Sequence, residues 1–291
     1  VPGRLDIFLI AMAAAETRVD PADGKTYTLQ ELLDYYRRSH RLSEIKVYWR
    51  TRCHRPGDAP AATHWRPKAA APAALRRSPA APETVLERIR ACKVVPVIKL
   101  TSAEHAVPLA SALKDGGMDV AEITLRTACA LDAIGQACSV EGVCVGAGTV
   151  MSAAQVDEAV DRGADFIISP GFSAAVLARC RKRKVLYLPG AATPTEVMNA
   201  TAGPPGPGLR ALKFFPAGDF GGAKTLKSFA AVFPDVQFMP TGGVSLENLG
   251  DYLKLPTVMA AGGSWMVSDA AVAAAAASGD WAPLTTGARR A

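Results

Sequence analysis

The stretch Cys144-Val-Gly-Ala-Gly-Thr-Val-Met-Ser-Ala-Ala-Gln155 holds the main evidence on the fold of this 291-residue chain. Residues 144–150 are almost all apolar or small, which is typical of a parallel strand covered on both faces. Ser152 and Gln155 then have the spacing of a capping box, which predicts that a helix begins directly after the strand. The stretch therefore predicts one strand–helix unit with a short connection.

The same alternation of strand and helix repeats along residues 83–291. The predicted strands are Lys93–Leu100, Val120–Thr127, Cys144–Val150, Phe166–Gly171, Val185–Gly190, Ala211–Ala217, Gln237–Gly243 and Thr257–Met266. Further capping pairs that predict helix starts are Thr101 with Glu104 and Thr193 with Glu196. An additional helix over Glu83–Cys92 is expected to plug the bottom of a barrel. Eight such units indicate an α/β fold, the (β/α)8 or TIM barrel.

The glycines of the quoted stretch leave a second fold open. Gly146-Ala-Gly148 has the first two glycines of a dinucleotide-binding fingerprint, which belongs to a doubly wound open sheet. Met151 stands where the third glycine is required, and no acidic residue is set up to bind a ribose. We therefore expect the barrel and not the open sheet.

Composition divides the chain into three zones. Residues 1–54 are predicted to be a small N-terminal extension of unknown role, in which Thr28 and Glu31 have capping-box spacing before a helical pattern. Residues 55–82 are rich in Ala and Pro without periodicity, as in an extended linker. Residues 83–291 hold the predicted barrel.

Charge and cysteine content bear on partners and location. The formal net charge is +6, and the basic excess lies in residues 1–82 without a dense cluster, so nucleic-acid binding is not expected. The six cysteines contain no Cys-x-x-Cys pair, which indicates reduced, buried thiols. No apolar run is long enough to span a bilayer. We expect a cytoplasmic protein, with an organelle left open. The expected natural start is Met12 after extra translated sequence, and a signal-peptide core in the short apolar run of residues 6–15 is the alternative.

Lys213 is the most informative polar residue of the predicted strands. Side chains alternate across a strand, so Lys213 faces away from its neighbours Leu212 and Phe214. These large apolar residues suit the helix-covered outside, which places Lys213 inside the barrel together with Phe215. Burial favours a neutral amine, which is the nucleophile that forms a Schiff base. A lysine that reaches solvent from the strand end is the alternative, and Lys99 is a rival lysine.

Glu122 and Arg126 lie on one face of the second predicted strand, with Thr124 between them. Ile123 and Leu125 occupy the opposite face. Charged side chains inside a barrel form either a structural ion pair or part of a reactive site. In the second case Glu122 transfers protons, and Arg126 binds a substrate carboxylate through its planar guanidinium.

Two glycine pairs follow the last two predicted strands. Thr241-Gly242-Gly243 and Gly262-Gly263-Ser264 can bring backbone N–H groups close to an anion, and Ser245 can cap the helix after the first pair. Loops after the seventh and eighth strands are the usual phosphate site of TIM barrels. Each pair alone is also explained by a tight turn, but together they indicate a phosphate site.

These residues resemble those of a known family, the 2-dehydro-3-deoxy-phosphogluconate / 4-hydroxy-2-oxoglutarate aldolases. The resemblance covers residues 83 to about 285. The matching stretches are Val94-Val-Pro-Val-Ile98, Glu104-His-Ala-Val-Pro108, Glu122-Ile-Thr-Leu-Arg-Thr127, Val145-Gly-Ala-Gly-Thr-Val150, Ile168-Ser-Pro-Gly171, Pro189-Gly190, Leu212-Lys-Phe-Phe-Pro-Ala217, Pro240-Thr-Gly-Gly243 and Gly262-Gly-Ser-Trp265. Their order and spacing make the resemblance specific.

The resemblance implies a class I aldolase without metal or cofactor. It would cleave 2-dehydro-3-deoxy-6-phosphogluconate to pyruvate and glyceraldehyde 3-phosphate. The galactonate epimer of this substrate, and 4-hydroxy-2-oxoglutarate, which would give pyruvate and glyoxylate, are left open as alternatives. Lys213 would form the Schiff base, and Glu122 would act as general acid and base. The implied binding residues are Arg126 and Thr149 for the pyruvyl carboxylate, Pro170 and Phe215 for the wall, and Thr241, Gly242, Gly243, Gly263 and Ser264 for the distal end and its phosphate. A homotrimer is implied too.

Two other functions are open to such a barrel. A metal-dependent aldolase or epimerase needs a cluster of histidines and carboxylates, and His105 is the single histidine of residues 83–291, so we reject it. A non-catalytic phosphate-binding barrel, or a scaffold acting through the basic extension, is the other alternative. Lys213 together with Glu122 favours the enzyme, because a binding module needs neither.

Overall fold

The computed structural model describes residues 16–19, 25–36, 49, 53, 79–204 and 206–291. The chain divides into two compact units, residues 1–72 and 73–291. Residues 55–78 of the predicted linker lie outside the described residues. The predicted start at Met12 lies outside them too. The zone boundaries at residues 54 and 82 therefore stay predictions.

The described part of the first unit contains a two-stranded sheet and a helix. Its elements are β1 (Thr17–Val19), β2 (Thr26–Thr28) and α1 (Leu29–Tyr36), with β1 antiparallel to β2. The predicted capping box is confirmed, since Glu31 N donates to Thr28 Oγ1 at 3.2 Å and Thr28 N donates to Glu31 Oε2 at 2.8 Å. Leu32 packs in a small buried cluster with Trp49 and Cys53.

Eight parallel strands form the sheet of the second unit. They are β3 (Val94–Ile98), β4 (Val120–Thr124), β5 (Cys144–Gly148), β6 (Phe166–Ser169), β7 (Leu186–Ala191), β8 (Ala211–Phe214), β9 (Gln237–Pro240) and β10 (Ala261–Gly263). Each pairs with the next along the chain from β3 to β9, and β10 pairs with β3. Bridges from Phe238 to Val258 and from Thr241 to Gly262 complete the ring. The sheet closes as a (β/α)8 barrel, as predicted, so the open-sheet alternative is wrong.

Helices lie between successive strands on the outside of the barrel. The helices of the second unit are α2 (Pro82–Cys92), α3 (Ala106–Asp115), α4 (Ala130–Ala137), α5 (Ala153–Asp161), α6 (Ala174–Arg183), α7 (Pro194–Thr201), α8 (Gly222–Val232), α9 (Leu246–Leu253), α10 (Asp269–Ser278) and α11 (Ala282–Arg290). Short 3-10 turns at Ala103–His105 and Trp265–Val267 precede α3 and α10. Within the described ranges, none of the helices has the length and apolar character needed to cross a membrane.

Two of the three capping pairs predicted for residues 83–291 are confirmed. Ser152 accepts a hydrogen bond from Gln155 N at 3.2 Å, and Thr193 forms a complete capping box with Glu196. The prediction at Thr101 is wrong, because the first turn is a 3-10 turn that begins one residue later than an α-helical start would. Ser102 is the cap there, and it accepts from the N–H of Glu104.

Most strands end earlier than predicted. β4 stops at Thr124 because the chain turns there, with Arg126 N donating to Thr124 O at 2.8 Å. β10 keeps only Ala261–Gly263 of the predicted Thr257–Met266, since the residues after it enter a 3-10 turn. The residues freed from the sheet form the loops at the C-terminal end of the barrel.

Cysteine burial differs from the prediction at three positions. Cys53, Cys144 and Cys180 are buried, as predicted. Cys92, Cys129 and Cys138 are only partly buried. Cys92 is the last residue of α2, and the other two flank α4, so all three lie at helix ends, where packing is incomplete.

The apolar residues of the barrel pack in two clusters. The larger one fills the layer between the strands and the surrounding helices. The smaller one fills the inside of the barrel at its N-terminal end, where α2 contributes Val85, Leu86 and Ile89. Full burial of side chains of this size stabilises a fold by about 1.5–3 kcal/mol each. The predicted plug helix is therefore confirmed, and it leaves only the C-terminal half of the interior open.

Candidate active site

A cavity of about 320 Å³ opens at the C-terminal ends of the strands. All the predicted site residues line it: Glu122, Arg126, Thr149, Pro170, Lys213, Phe215, Thr241, Gly242, Gly243, Gly263 and Ser264. Function gathers at this end of TIM barrels because the loops from all eight strands meet there. The cavity is thus the candidate active site.

Lys213 and Glu122 form a buried ion pair at the base of this cavity. Lys213 Nζ lies 3.0 Å from both Glu122 Oε1 and Glu122 Oε2. The residues are only 5% and 1% exposed, respectively. The Phe215 ring lies beside the amine, with its centroid 5.5 Å from Nζ. The prediction that Lys213 points into the barrel is therefore confirmed, and the solvent-exposed alternative is wrong.

The outward neighbours of Lys213 hold strand β8 in place. Leu212 and Phe214 are fully buried in the outer cluster, and the Phe214 ring packs edge-on against Phe229 at 5.9 Å between centroids. The rival lysine, Lys99, instead forms an ion pair with Asp269, where its side chain is 37% exposed. Lys213 is thus the lysine that the barrel holds inside.

Gly148 provides the space that Glu122 occupies. It ends β5, the strand that pairs with the strand of Glu122. A Cβ atom at Gly148 would lie 2.1 Å from Glu122 Oε1 and 2.7 Å from its Cγ. Any side chain at Gly148 would therefore displace the carboxylate that contacts Lys213.

Arg126 reaches the cavity from the turn after β4. Its Nε donates to Thr124 Oγ1 at 3.1 Å, and the same Thr124 hydroxyl donates to Ile98 O at 2.9 Å. Thr124 is 2% exposed, while Arg126 is exposed. Within the described part of the chain, the two Nη atoms of Arg126 have no hydrogen-bond or ion-pair partner, so they are available to an anion in the cavity.

Thr149 has a backbone conformation that its residue type disfavours. Its φ is 61°, in the left-handed region, where β-branched residues are rarely found. Such strain costs of order 1–3 kcal/mol and is concentrated at functional sites. Thr149 directly follows Gly148 in the chain, and in this strained conformation it lines the cavity.

The wall formed by Pro170 is held by strand β7. The Tyr187 hydroxyl accepts from Ser169 Oγ at 2.6 Å and from Ser173 N at 3.2 Å, and it donates to Gly171 O at 3.3 Å. Burial raises the pKa of the Tyr187 phenol, although the hydrogen bond from Ser169 opposes this shift. The phenol therefore stays protonated and fixes the loop on both sides of Pro170.

The predicted phosphate loops are tight glycine turns. Gly242 and Gly243 have φ values of 92° and 72°, which glycine adopts without strain. A Cβ at Gly262 would lie 2.4 Å from Thr241 Oγ1, so the two loops also approach each other closely. Ser245 begins α9 with a capping box completed by Asn248, which places a helix N-terminus behind the first loop.

Several lining residues were absent from the predicted site. They are Val97, Thr124, Ile168, Ser169 and Val244, whereas Gly262 also lines the cavity and belongs to the predicted second glycine pair. The face alternation of β4 already placed Thr124 between Glu122 and Arg126, and this signal identifies it as a site residue. For the apolar members no comparable signal exists, because nothing distinguishes them from core residues before the barrel closes.

Comparison with known proteins identifies the family. Residues 85–285 match the family model "Aldolase: KDPG and KHG aldolase". The chain belongs to this aldolase family. Its members catalyse carbon–carbon cleavage, so this aldolase is a lyase.

Two relatives and one solved structure illustrate the similarity of this aldolase to known proteins. It is 45% identical over 199 residues to the 2-dehydro-3-deoxy-phosphogluconate aldolase of Dickeya dadantii, covering 68% of this chain and 90% of the relative. It is 44% identical over 199 residues to the KHG/KDPG aldolase of Escherichia coli K12, with the same coverage of 68% and 90%. Its fold matches KDPG aldolase from Legionella pneumophila, which holds pyruvate captured as a covalent carbinolamine, with a TM-score of 0.65 at 37% identity over 70% of this chain and 96% of that one.

Proposed function

We propose that this aldolase cleaves 2-dehydro-3-deoxy-6-phosphogluconate to pyruvate and glyceraldehyde 3-phosphate through a Schiff base on Lys213. The observation that carries the proposal is the buried contact of 3.0 Å between Lys213 Nζ and the Glu122 carboxylate at the base of the cavity. A primary amine and a proton carrier in contact are the groups that Schiff-base chemistry requires.

The reaction begins with a proton transfer inside the pair. Glu122 takes a proton from the Lys213 ammonium, which leaves a neutral amine and a neutral carboxyl without changing the net charge of the buried site. The amine attacks the C2 carbonyl carbon of the substrate to form a carbinolamine. Glu122 then donates its proton to the departing hydroxyl, water leaves, and the iminium forms.

The iminium accepts the electron pair released by cleavage. Glu122, through a water molecule, removes the proton of the C4 hydroxyl, and the bond between C3 and C4 breaks. Its electrons move into the iminium to give an enamine, while C4 becomes the aldehyde of glyceraldehyde 3-phosphate. Protonation of the enamine at C3 and hydrolysis of the resulting iminium release pyruvate and restore the amine of Lys213.

The remaining lining residues hold the two ends of the substrate. Arg126 and Thr149 bind the carboxylate of the pyruvyl part. Support for this role comes from the two Nη atoms of Arg126, which have no partner among the residues that the structure describes. Pro170 and Phe215 form the walls. The distal end and its phosphate contact the two glycine loops, whose members are Thr241, Gly242, Gly243, Gly263 and Ser264. Backbone N–H groups of tight turns near a helix N-terminus are suited to a phosphate.

We further propose cleavage of 4-hydroxy-2-oxoglutarate to pyruvate and glyoxylate. The Escherichia coli relative is named for both substrates, and the carbinolamine in the Legionella pneumophila enzyme holds the pyruvyl part that both substrates share. We also propose a homotrimer in the cytoplasm, because the same family resemblance implies it. Sedimentation of the purified chain tests the trimer.

Measurement of kcat/KM with both substrates tests the proposed function. We expect each substrate to give equal amounts of pyruvate and aldehyde. The phosphorylated substrate should have the higher kcat/KM, because it alone reaches the glycine loops. Binding of the phosphorylated acid without release of pyruvate would instead establish the non-catalytic phosphate-binding barrel.

A further inference from the structure

We propose that Thr124 is a positioning residue, which orients Arg126 toward the substrate carboxylate and thereby sets the preference of this enzyme for 2-keto acids over simple ketones. The proposal rests on the proposed function, since it assumes that Arg126 binds the carboxylate. It adds a residue that does not itself need to touch the substrate.

The Thr124 hydroxyl is used in both directions. Its hydrogen is donated to Ile98 O at 2.9 Å, so its lone pairs point away from that carbonyl and accept from Arg126 Nε at 3.1 Å. The carbonyl of Ile98, the last residue of β3, is thus the fixed end of a short hydrogen-bond chain that terminates on the guanidinium. A hydroxyl is the smallest group that can donate and accept at once.

This chain decides which edge of the guanidinium faces the cavity. A carboxylate can bind arginine through Nε with one Nη, or through both Nη atoms. Because Thr124 occupies Nε, only the edge formed by the two Nη atoms remains. An exposed arginine has many rotamers, and the bond to a 2% exposed threonine restricts Arg126 to those that present this edge.

A set of variants separates this role from a structural one. Thr124→Val keeps the shape but removes both hydrogen bonds, Thr124→Ser keeps the hydroxyl, and Arg126→Ala removes the group that is oriented. For each enzyme we would measure the concentration of pyruvate that gives half-maximal trapping by borohydride, and the same for acetone, a ketone without a carboxylate. Thermal unfolding reports on stability separately.

We expect Thr124→Val to raise the half-maximal pyruvate concentration about tenfold, the effect typical of a hydrogen bond to a charged group, and to leave the value for acetone unchanged. Thr124→Ser should stay near the original enzyme. In the Arg126→Ala background, Thr124→Val should have no further effect, because effects that act through one group are not additive.

Equal losses for pyruvate and acetone, or additive losses with Arg126→Ala, would overturn the role of Thr124, since either result would mean that it acts on the fold and not on the guanidinium. An original enzyme that traps neither ketone would instead refute the proposed Schiff base. The two failures are therefore distinguishable.

Discussion

The two ends of the barrel interior are built from the same strands but hold different side chains. At the N-terminal end, Val120 and Ala211 face the apolar plug of α2. Two residues further along the same strands, Glu122 and Lys213 form the buried ion pair of the cavity. Side chains two residues apart on a strand point to the same side, so one such step leads from the apolar cluster to the cavity.

Strand β5 shows the same division with glycine alone. A Cβ at Gly146 would lie 2.2 Å from the ring of Phe166, which packs in the inner cluster with the plug helix α2, while a Cβ at Gly148 would lie 2.1 Å from the carboxylate of Glu122. One glycine therefore makes room for the core and the other for the ion pair of Lys213 and Glu122. Changes at the plug should alter stability, and changes at the pair should alter turnover.

The largest effect is expected at Lys213. Lys213→Met keeps the length of the side chain but removes the nucleophile, and it should lower kcat by at least roughly 10⁴-fold. Lys99→Met is the matched control, because Lys99 lies in an exposed ion pair, and its kcat should change only by a few fold. Steady-state assays of pyruvate release compare the two. Comparable losses in both would contradict the assignment of the amine.

Glu122→Gln should lower kcat by about 10²–10⁴-fold, because the amide cannot carry protons. The control is Asp165→Asn, which removes a carboxylate that is equally buried at 1% exposure but lies just before β6, where it accepts from Val145 N at 3.0 Å. That variant should lose stability and keep its kcat. A small kcat change for Glu122→Gln would refute the proton-transfer role.

The plug is tested by Ile89→Ala. Ile89 is fully buried against the N-terminal end of the strands, so truncation should lower the free energy of unfolding by about 2–5 kcal/mol. Urea unfolding measures this, and kcat of the folded fraction should stay within a few fold. A large loss of kcat without a loss of stability would show that the two ends are not separate.

The smallest effects are expected for Gly146 and Gly148 of β5. These two variants compare the two ends of the interior within one strand. Gly148→Ala should lower kcat roughly a hundredfold, since a displaced catalytic group costs about that much. Gly146→Ala should instead destabilise the fold by about 1–3 kcal/mol through overpacking. Measurement of kcat and of the urea midpoint for each variant distinguishes them. Equal changes of both quantities in the two variants would contradict the separation of the two ends.

Much of this site was predictable because alternation along a strand depends on local sequence alone. Lys213 and Glu122 were placed inside the barrel from the parity of their apolar neighbours, and the structure bears this out. The space at Gly148 and the three contacts of Tyr187 were not predictable, since they form between different strands. The cap at Ser102 was missed because a 3-10 turn and an α-helix differ by one residue in their first hydrogen bond.

The amine of Lys213 is the central claim, and trapping of its Schiff base tests it most directly. The full chain would be incubated with pyruvate and borohydride, digested, and its peptides analysed by mass spectrometry. We predict one pyruvyl unit on Lys213 and no label there when Lys213→Met is treated in the same way. No adduct at all, or an adduct on Lys99 with Lys213 unmodified, would contradict the assignment.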